Sequence, residues 1–123
     1  MKKLTPVIIV EAIEPCLPFW APLGFNTTAS VPEGDRLGFS MLASGEVEIM
    51  YQTVESVKKD AAGVIALPSR TNLFIEVDSL DEVVPALKGA EITIPVRDTF
   101  YGSREIGVRA PCGTQVTFAE FKR

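Results

Sequence analysis

Apolar positions along this chain come in short blocks, many with a period of two, separated by clusters of Gly, Pro, Asp and Ser. Residues 4–11 (LTPVIIVE) are apolar and β-branched and predict a buried strand. Residues 14–22 follow with Pro15 where a first helical turn tolerates proline, and Leu23-Gly24-Phe25 closes the helix they predict. Residues 26–31, 37–43 and 46–53 predict three strands, broken by Pro32-Glu33-Gly34-Asp35 and by Ser44-Gly45. Residues 54–62 read as a charged, partly helical connector and residues 63–70 as a loop. The pattern then starts again. Residues 72–77 predict a strand, Ser79 an N-cap, and residues 80–88 a helix that stops at Gly89. Residues 91–97, Ser103–Arg109 and Gln115–Phe121 predict three more strands.

The order strand–helix–strand–strand–strand therefore occurs twice, a tandem of βαβββ units that predicts an α+β fold. Unit one covers about 1–53, a linker about 54–70, and unit two about 71–123, all within one domain. The halves superpose with Thr5–Glu11 on Asn72–Asp78 and with Gly45-Glu46-Val47-Glu48-Ile49 on Thr114-Gln115-Val116-Thr117-Phe118. The last strand follows the turn Pro111-Cys112-Gly113-Thr114. Its alternation places Thr117 with Ala119 and Phe121 on one face, and Val116 with Phe118 on the other.

At 123 residues, 46% hydrophobic and 23% charged, the chain has an ordinary globular balance. It is long enough to bury about two-thirds of its unfolded surface. The net charge of −4 and the scatter of basic residues, paired only at Lys2-Lys3, Lys58-Lys59 and Lys122-Arg123, argue against nucleic acid as a partner. The apolar run Pro6–Val10 is closed by Glu11, far short of the roughly 20 residues of a membrane helix. It has no cleavage site of small residues, so neither a membrane nor a signal peptide is expected. Cys16 and Cys112 make no disulfide framework and no CxxC spacing, so free thiols in a reducing cytoplasm are the expectation. There is no histidine, which removes Ser-His-Asp and Cys-His catalysis and the commonest metal ligand together. The glycines are too dispersed for a phosphate-cradling loop.

Three segments carry a family likeness: PFWAPLGF (18–25), FIEVDSLDE (74–82) and YGSREIGVRAPCGTQVTF (101–118). In this order and at these separations the chain resembles the vicinal oxygen chelate superfamily, which includes glyoxalase I, extradiol dioxygenases and the fosfomycin- and bleomycin-resistance proteins. The usual DPDGN turn is Ala110-Pro111-Cys112-Gly113-Thr114 here, without its aspartates. The resemblance implies two βαβββ units forming curled mixed sheets around a cleft, and a homodimer. In metal-dependent members four ligands enter the cleft. Carried over, those positions are Thr5, Glu48, Asn72 and Thr117, of which only Glu48 is a good ligand. The expectation is therefore no metal and no cofactor.

The implied function is that of a metal-free small-molecule binding protein of bleomycin-resistance type, sequestering a drug or antibiotic. The alternatives are a lyase- or isomerase-type enzyme using Glu48 as base, with Tyr101 and Arg104 orienting the substrate, or a metal-dependent glyoxalase or dioxygenase. In this reading Thr5, Val7, Glu48, Met50, Asn72, Phe74, Glu76, Thr117 and Ala119 line the cleft. Ile8, Val10, Val47, Ile49, Leu73, Ile75, Val77, Val116 and Phe118 pack beneath the helices. The candidate ligand-binding residues are Glu48, Met50, Phe74, Tyr101, Arg104 and Thr117, with no catalytic residue assigned. Each also has a plainer reading: Glu48 solvated at the sheet mouth, and Arg104 in a surface ion pair with Glu105 or Asp98. Phe19 and Trp20 match a family pair in which one ring is core. The phase of Phe39 and Met41 stays open, and Cys16 and Cys112 read as incidental thiols.

Overall fold

The computed structural model of the chain describes residues 2–61, 63 and 71–122. The loop expected over 63–70 lies, apart from Gly63, outside the described residues. The chain divides into two compact units, Met1–Ser69 and Arg70–Arg123.

Unit one begins with β1 (Val7–Val10). The helix expected over 14–22 is instead three short pieces: a 3-10 turn at Glu14–Cys16, α1 (Leu17–Trp20), and a second 3-10 turn at Ala21–Leu23. Pro15, Pro18 and Pro22 each lack the N–H that would continue an α-helix, so the backbone restarts at each one. Gly24, at φ 88°, ends the run in the left-handed conformation. Three strands follow, β2 (Asn26–Glu33), β3 (Arg36–Ser44) and β4 (Val47–Thr53), and then α2 (Val54–Asp60). The Thr53 hydroxyl caps α2 by accepting from the Ser56 N–H at 3.1 Å. Glu55 at the start of α2 and Lys58 and Lys59 at its end complement the helix dipole.

The strands form one sheet in the order β1-β4-β3-β2, with β1 parallel to β4 and the other pairs antiparallel. One face carries the helical segment. There Ile8, Val10, Leu42, Ile49 and Tyr51 bury with Ile13, Cys16, Trp20 and Phe25. Trp20 Nε1 donates to the Tyr51 hydroxyl at 2.8 Å, and its ring meets Phe25 edge-on at 4.9 Å. Trp20 is thus the core member of the Phe19-Trp20 pair, and Phe19 is half-buried. Val47, expected under the helices, is exposed, because it opens its strand beyond the cover of the helical segment.

Unit two repeats the plan with β5 (Asn72–Glu76), α3 (Leu80–Val83), a 3-10 turn at Val84–Leu87, β6 (Glu91–Asp98), β7 (Ser103–Arg109), a 3-10 turn at Pro111–Gly113 and β8 (Gln115–Phe121). Its sheet runs β5-β8-β7-β6, with β5 parallel to β8. The helix expected over 80–88 stops after one turn, because Pro85 cannot supply the next backbone bond. Ser79 makes no side-chain cap; the Glu120 carboxylate on β8 takes the Leu80 N–H at 2.6 Å instead. Leu80, Leu87, Ile106, Val108, Val116 and Phe118 form the core on the helix-bearing face.

Gly107 is required by close approach. A Cβ there would lie 2.8 Å from Ile94 Cβ, where β6 bulges over β7. Thr114 is fully buried, and its hydroxyl has no hydrogen-bond partner among the described residues.

Candidate functional site

The face of each sheet away from its helices is chemically mixed. In unit one, Val7, Met50 and Met41 stand in one row across β1, β4 and β3, and Gln52, Phe39 and Val31 are aligned across β4, β3 and β2. Phe39 and Met41 therefore belong to this face, while Gly38 and Ser40 alternate onto the buried one. An open pocket of about 480 Å3 lies among Val31, Phe39, Gln52, Ser56 and the Glu33–Lys59 ion pair, which closes at 2.6 Å.

Glu48 stands at one end of this face, and its carboxylate is engaged. Lys3 Nζ lies 2.8 Å from Oε1, and the Thr5 hydroxyl donates to the same oxygen at 3.4 Å. Thr5 and Glu48 are neighbours across the parallel pair. The same separation in unit two pairs Asn72 with Gln115, while Thr117 pairs with Phe74. The superposition that set Thr117 against Glu48 thus preserves the face of the sheet but slips the register by two residues, from Gln115 to Thr117. Asn72 and Thr117 do not meet as cross-strand partners.

In unit two the corresponding face is aromatic. Phe74 on β5 lies 6.2 Å from Phe121 on β8, centroid to centroid, and Phe121 lies 6.4 Å from Tyr101. Phe100 extends the row, 5.1 Å from Tyr101 and edge-on. Phe74 is 55% exposed and Tyr101 45%. Strand alternation explains the gathering, since Phe74 and Thr117, and Ser103 and Phe121, are direct cross-strand partners on this face. At the C-terminal ends of β5 and β8 the row borders an open pocket of about 480 Å3 lined by Glu76, Val77, Asp78, Glu120, Phe121 and Lys122.

Beside this row lies a buried carboxylate. Glu105 on β7 is 1% exposed. Its Oε2 accepts the Tyr101 hydroxyl at 2.5 Å and the Ser103 hydroxyl at 2.7 Å, and Arg97 Nη2 lies 3.5 Å from Oε1. Burial pushes the Glu105 pKa up. The two hydroxyl donors and the Arg97 charge outweigh it and hold the carboxyl below its ordinary value.

Of the six residues expected to bind ligand, Glu48 and Met50 share the mixed face of unit one, and Phe74, Thr117 and Tyr101 are brought together in unit two. Arg104 is not among them. It points to the helix-bearing face, in phase with Ile106 and Val108, and pairs with Asp81 of α3 at 3.0 Å. Arg97, one strand over, is the partner of Glu105. Sequence reasoning omitted Phe121 and Glu105 from the site. Phe121 was within reach, because it shares its phase with Thr117. The partners of Glu105 are near in sequence, Ser103 on the same strand, Tyr101 in the preceding turn and Arg97 on the neighbouring strand, but its burial depends on the strands packed around it.

As to metal, the positions carried over from the superfamily offer one carboxylate already paired with Lys3, two hydroxyls and one amide. That set does not fit a divalent transition metal. Among the described residues no three His, Cys, Asp or Glu side chains group in a way that would hold a metal ion. Nor is any described helix long and apolar enough to cross a membrane.

Two four-stranded mixed sheets with parallel outer pairs, short proline-broken helices on one face and an open mixed face on the other define a known class: the chain has the glyoxalase/bleomycin-resistance fold. TioX from Micromonospora sp. ML1 superposes with a TM-score of 0.81 at 16% identity, over 99% of this chain and 100% of that one. A glyoxalase/bleomycin resistance protein/dioxygenase from Nocardioides does so with a TM-score of 0.77 at 22% identity, over 98% and 84%. A bleomycin-binding protein complexed with bleomycin does so with a TM-score of 0.70 at 16% identity, over 99% and 100%. At these identities the likeness is one of fold. No protein-family model matches the sequence, and no curated protein does.

Proposed function

We propose that this chain is a metal-free small-molecule binding protein of the glyoxalase/bleomycin-resistance superfamily, sequestering a drug-like aromatic or amphipathic ligand without turning it over. The observation that carries this reading is the aromatic row Phe74–Phe121–Tyr101, with Phe74 and Tyr101 exposed, placed beside a pocket whose lining includes Glu76, Asp78, Glu120 and Lys122. Exposed aromatic faces with few polar groups suit a planar ligand. The surplus of carboxylates favours one with a cationic or N–H-bearing end. The fold likeness to a bleomycin-binding protein supports the same class of function. We read the protein as a cytoplasmic homodimer, in line with its having only two cysteines and with its superfamily resemblance.

Native mass spectrometry of gently purified protein, never exposed to chelator, tests this. The expected result is a metal-free dimer that carries or readily takes up small organic ligands, with the ligand class given by mass. A stoichiometric zinc, nickel, iron or manganese overturns the reading, as does catalytic turnover of the captured ligand that Glu48→Gln abolishes.

A further inference from the structure

We propose that Glu105 is a positioning residue that sets the ligand specificity of the aromatic site by fixing the proton of Tyr101; this rests on, and deepens, the binding function above. A free tyrosine hydroxyl rotates and serves as donor or acceptor as its partner requires. The hydroxyl of Tyr101 has no such choice. Its one proton is directed at Glu105 Oε2 over 2.5 Å, the length of a charge-assisted O–H···O⁻ bond.

The carboxylate is held in place in turn. Ser103 donates to the same oxygen and Arg97 flanks the other, so the buried charge does not reorient to release the phenol. The turn that carries Tyr101 is also closed from both ends. The Thr99 N–H reaches the Ser103 carbonyl at 2.8 Å, the Thr99 and Ser103 hydroxyls bond at 2.8 Å, and the Lys122 N–H takes the Gly102 carbonyl at 3.1 Å.

What Tyr101 presents to a ligand is therefore its ring face and oxygen lone pairs, and no donor. A planar ligand lying against Phe121 and Tyr101 gains a hydrogen bond when its edge carries an N–H, and none when that atom is an oxygen acceptor. An acceptor there instead faces an oxygen that has nothing to donate. The site accordingly selects N–H-bearing heteroaromatics over their oxygen isosteres, a form of discrimination stronger than shape alone provides.

Indole and benzofuran differ in this one group and serve as the probes. Both are titrated into the full-length protein and followed by NMR shifts of the unit-two aromatic rings. Wild type is expected to bind indole about three- to tenfold more tightly than benzofuran, the range of one net hydrogen bond. Tyr101→Phe, which removes the hydroxyl held by Glu105 and keeps the ring, should bring that ratio to about one. Glu105→Gln should lower it too, because a neutral amide oxygen commits the phenol proton less firmly. A downfield hydroxyl proton resonance should be present in wild type, absent in Tyr101→Phe and moved upfield in Glu105→Gln. Equal binding of both probes by wild type, or a preference that survives Tyr101→Phe, overturns the positioning role and leaves the binding function standing. If neither probe perturbs the aromatic rings, the positioning role and the binding function are both overturned. Should Glu105→Gln fail to fold, the Tyr101→Phe ratio decides alone.

Discussion

Phe74 and Phe121 come from strands that are not adjacent in sequence, yet their rings lie 6.2 Å apart at an interplanar angle of 56°, and Phe74 remains 55% exposed. An exposed ring contributes little to folding, so Phe74→Ala should change stability by no more than about 0.5 kcal/mol. If the row is a binding platform, the same substitution should weaken capture of a planar aromatic ligand by about tenfold, at the upper end of what one aromatic contact contributes. Isothermal titration beside thermal unfolding separates the two effects. Loss of stability with unchanged affinity would place Phe74 in the fold and not in the site.

Trp20 is the single tryptophan of the chain, and its indole N–H is satisfied by the Tyr51 hydroxyl at 2.8 Å in a fully buried setting. Tyr51→Phe removes that acceptor and leaves a buried donor unpaired, which should cost about 1–3 kcal/mol. Denaturation followed by tryptophan fluorescence should show a lower midpoint and a shifted native emission maximum. An unchanged midpoint would mean that another acceptor takes over.

Gly107 should not tolerate a methyl group. The added Cβ would lie 2.8 Å from Cβ and Cγ1 of Ile94, atoms at the root of that side chain that cannot swing clear without moving β6. Gly107→Ala should destabilise the protein by about 1–3 kcal/mol, measured by urea unfolding. A neutral result would show that the bulged β6 shifts freely over β7.

Acid should weaken the protein in part through Glu105. Its carboxyl titrates below the ordinary 4.5 in the folded state, so the unfolded chain binds its proton more readily. The stabilisation is complete above about pH 4.5 and is lost as pH falls through the lower folded value. Urea midpoints taken from about pH 7 down to about pH 3 should fall in wild type and fall less steeply in Glu105→Gln. Parallel curves would assign the acid response to other carboxylates.

Local pattern determined a good deal of this protein. Period-two alternation marks which face of each strand meets the helices, so Ile8, Val10, Ile49, Val116 and Phe118 were readable as core, and Thr117 and Phe121 as partners on the other face. The doubled element order and the absence of histidine were likewise properties of the sequence. The prolines at 15, 18, 22 and 85 held more information than a simple helix reading extracts, since each marks a break the backbone obeys.

Alternation says nothing about register or about partners far along the chain. The carried-over positions grouped Asn72 with Thr117, whereas the parallel pairing of β5 with β8 sets Asn72 opposite Gln115. Alternation sets Arg104 and Glu105 on opposite faces of β7, but that Arg97 is the partner of Glu105 depends on which strand lies alongside. The burial of Glu105, the exposure of Phe74 and the proton held between Tyr101 and Glu105 all arise where the four strands of unit two and a turn meet. Tyr101, Ser103 and Glu105 share a window of five residues, but their hydrogen bonds form only because the turn at residues 99–102 folds Tyr101 back over β7, and the burial comes from neighbouring strands.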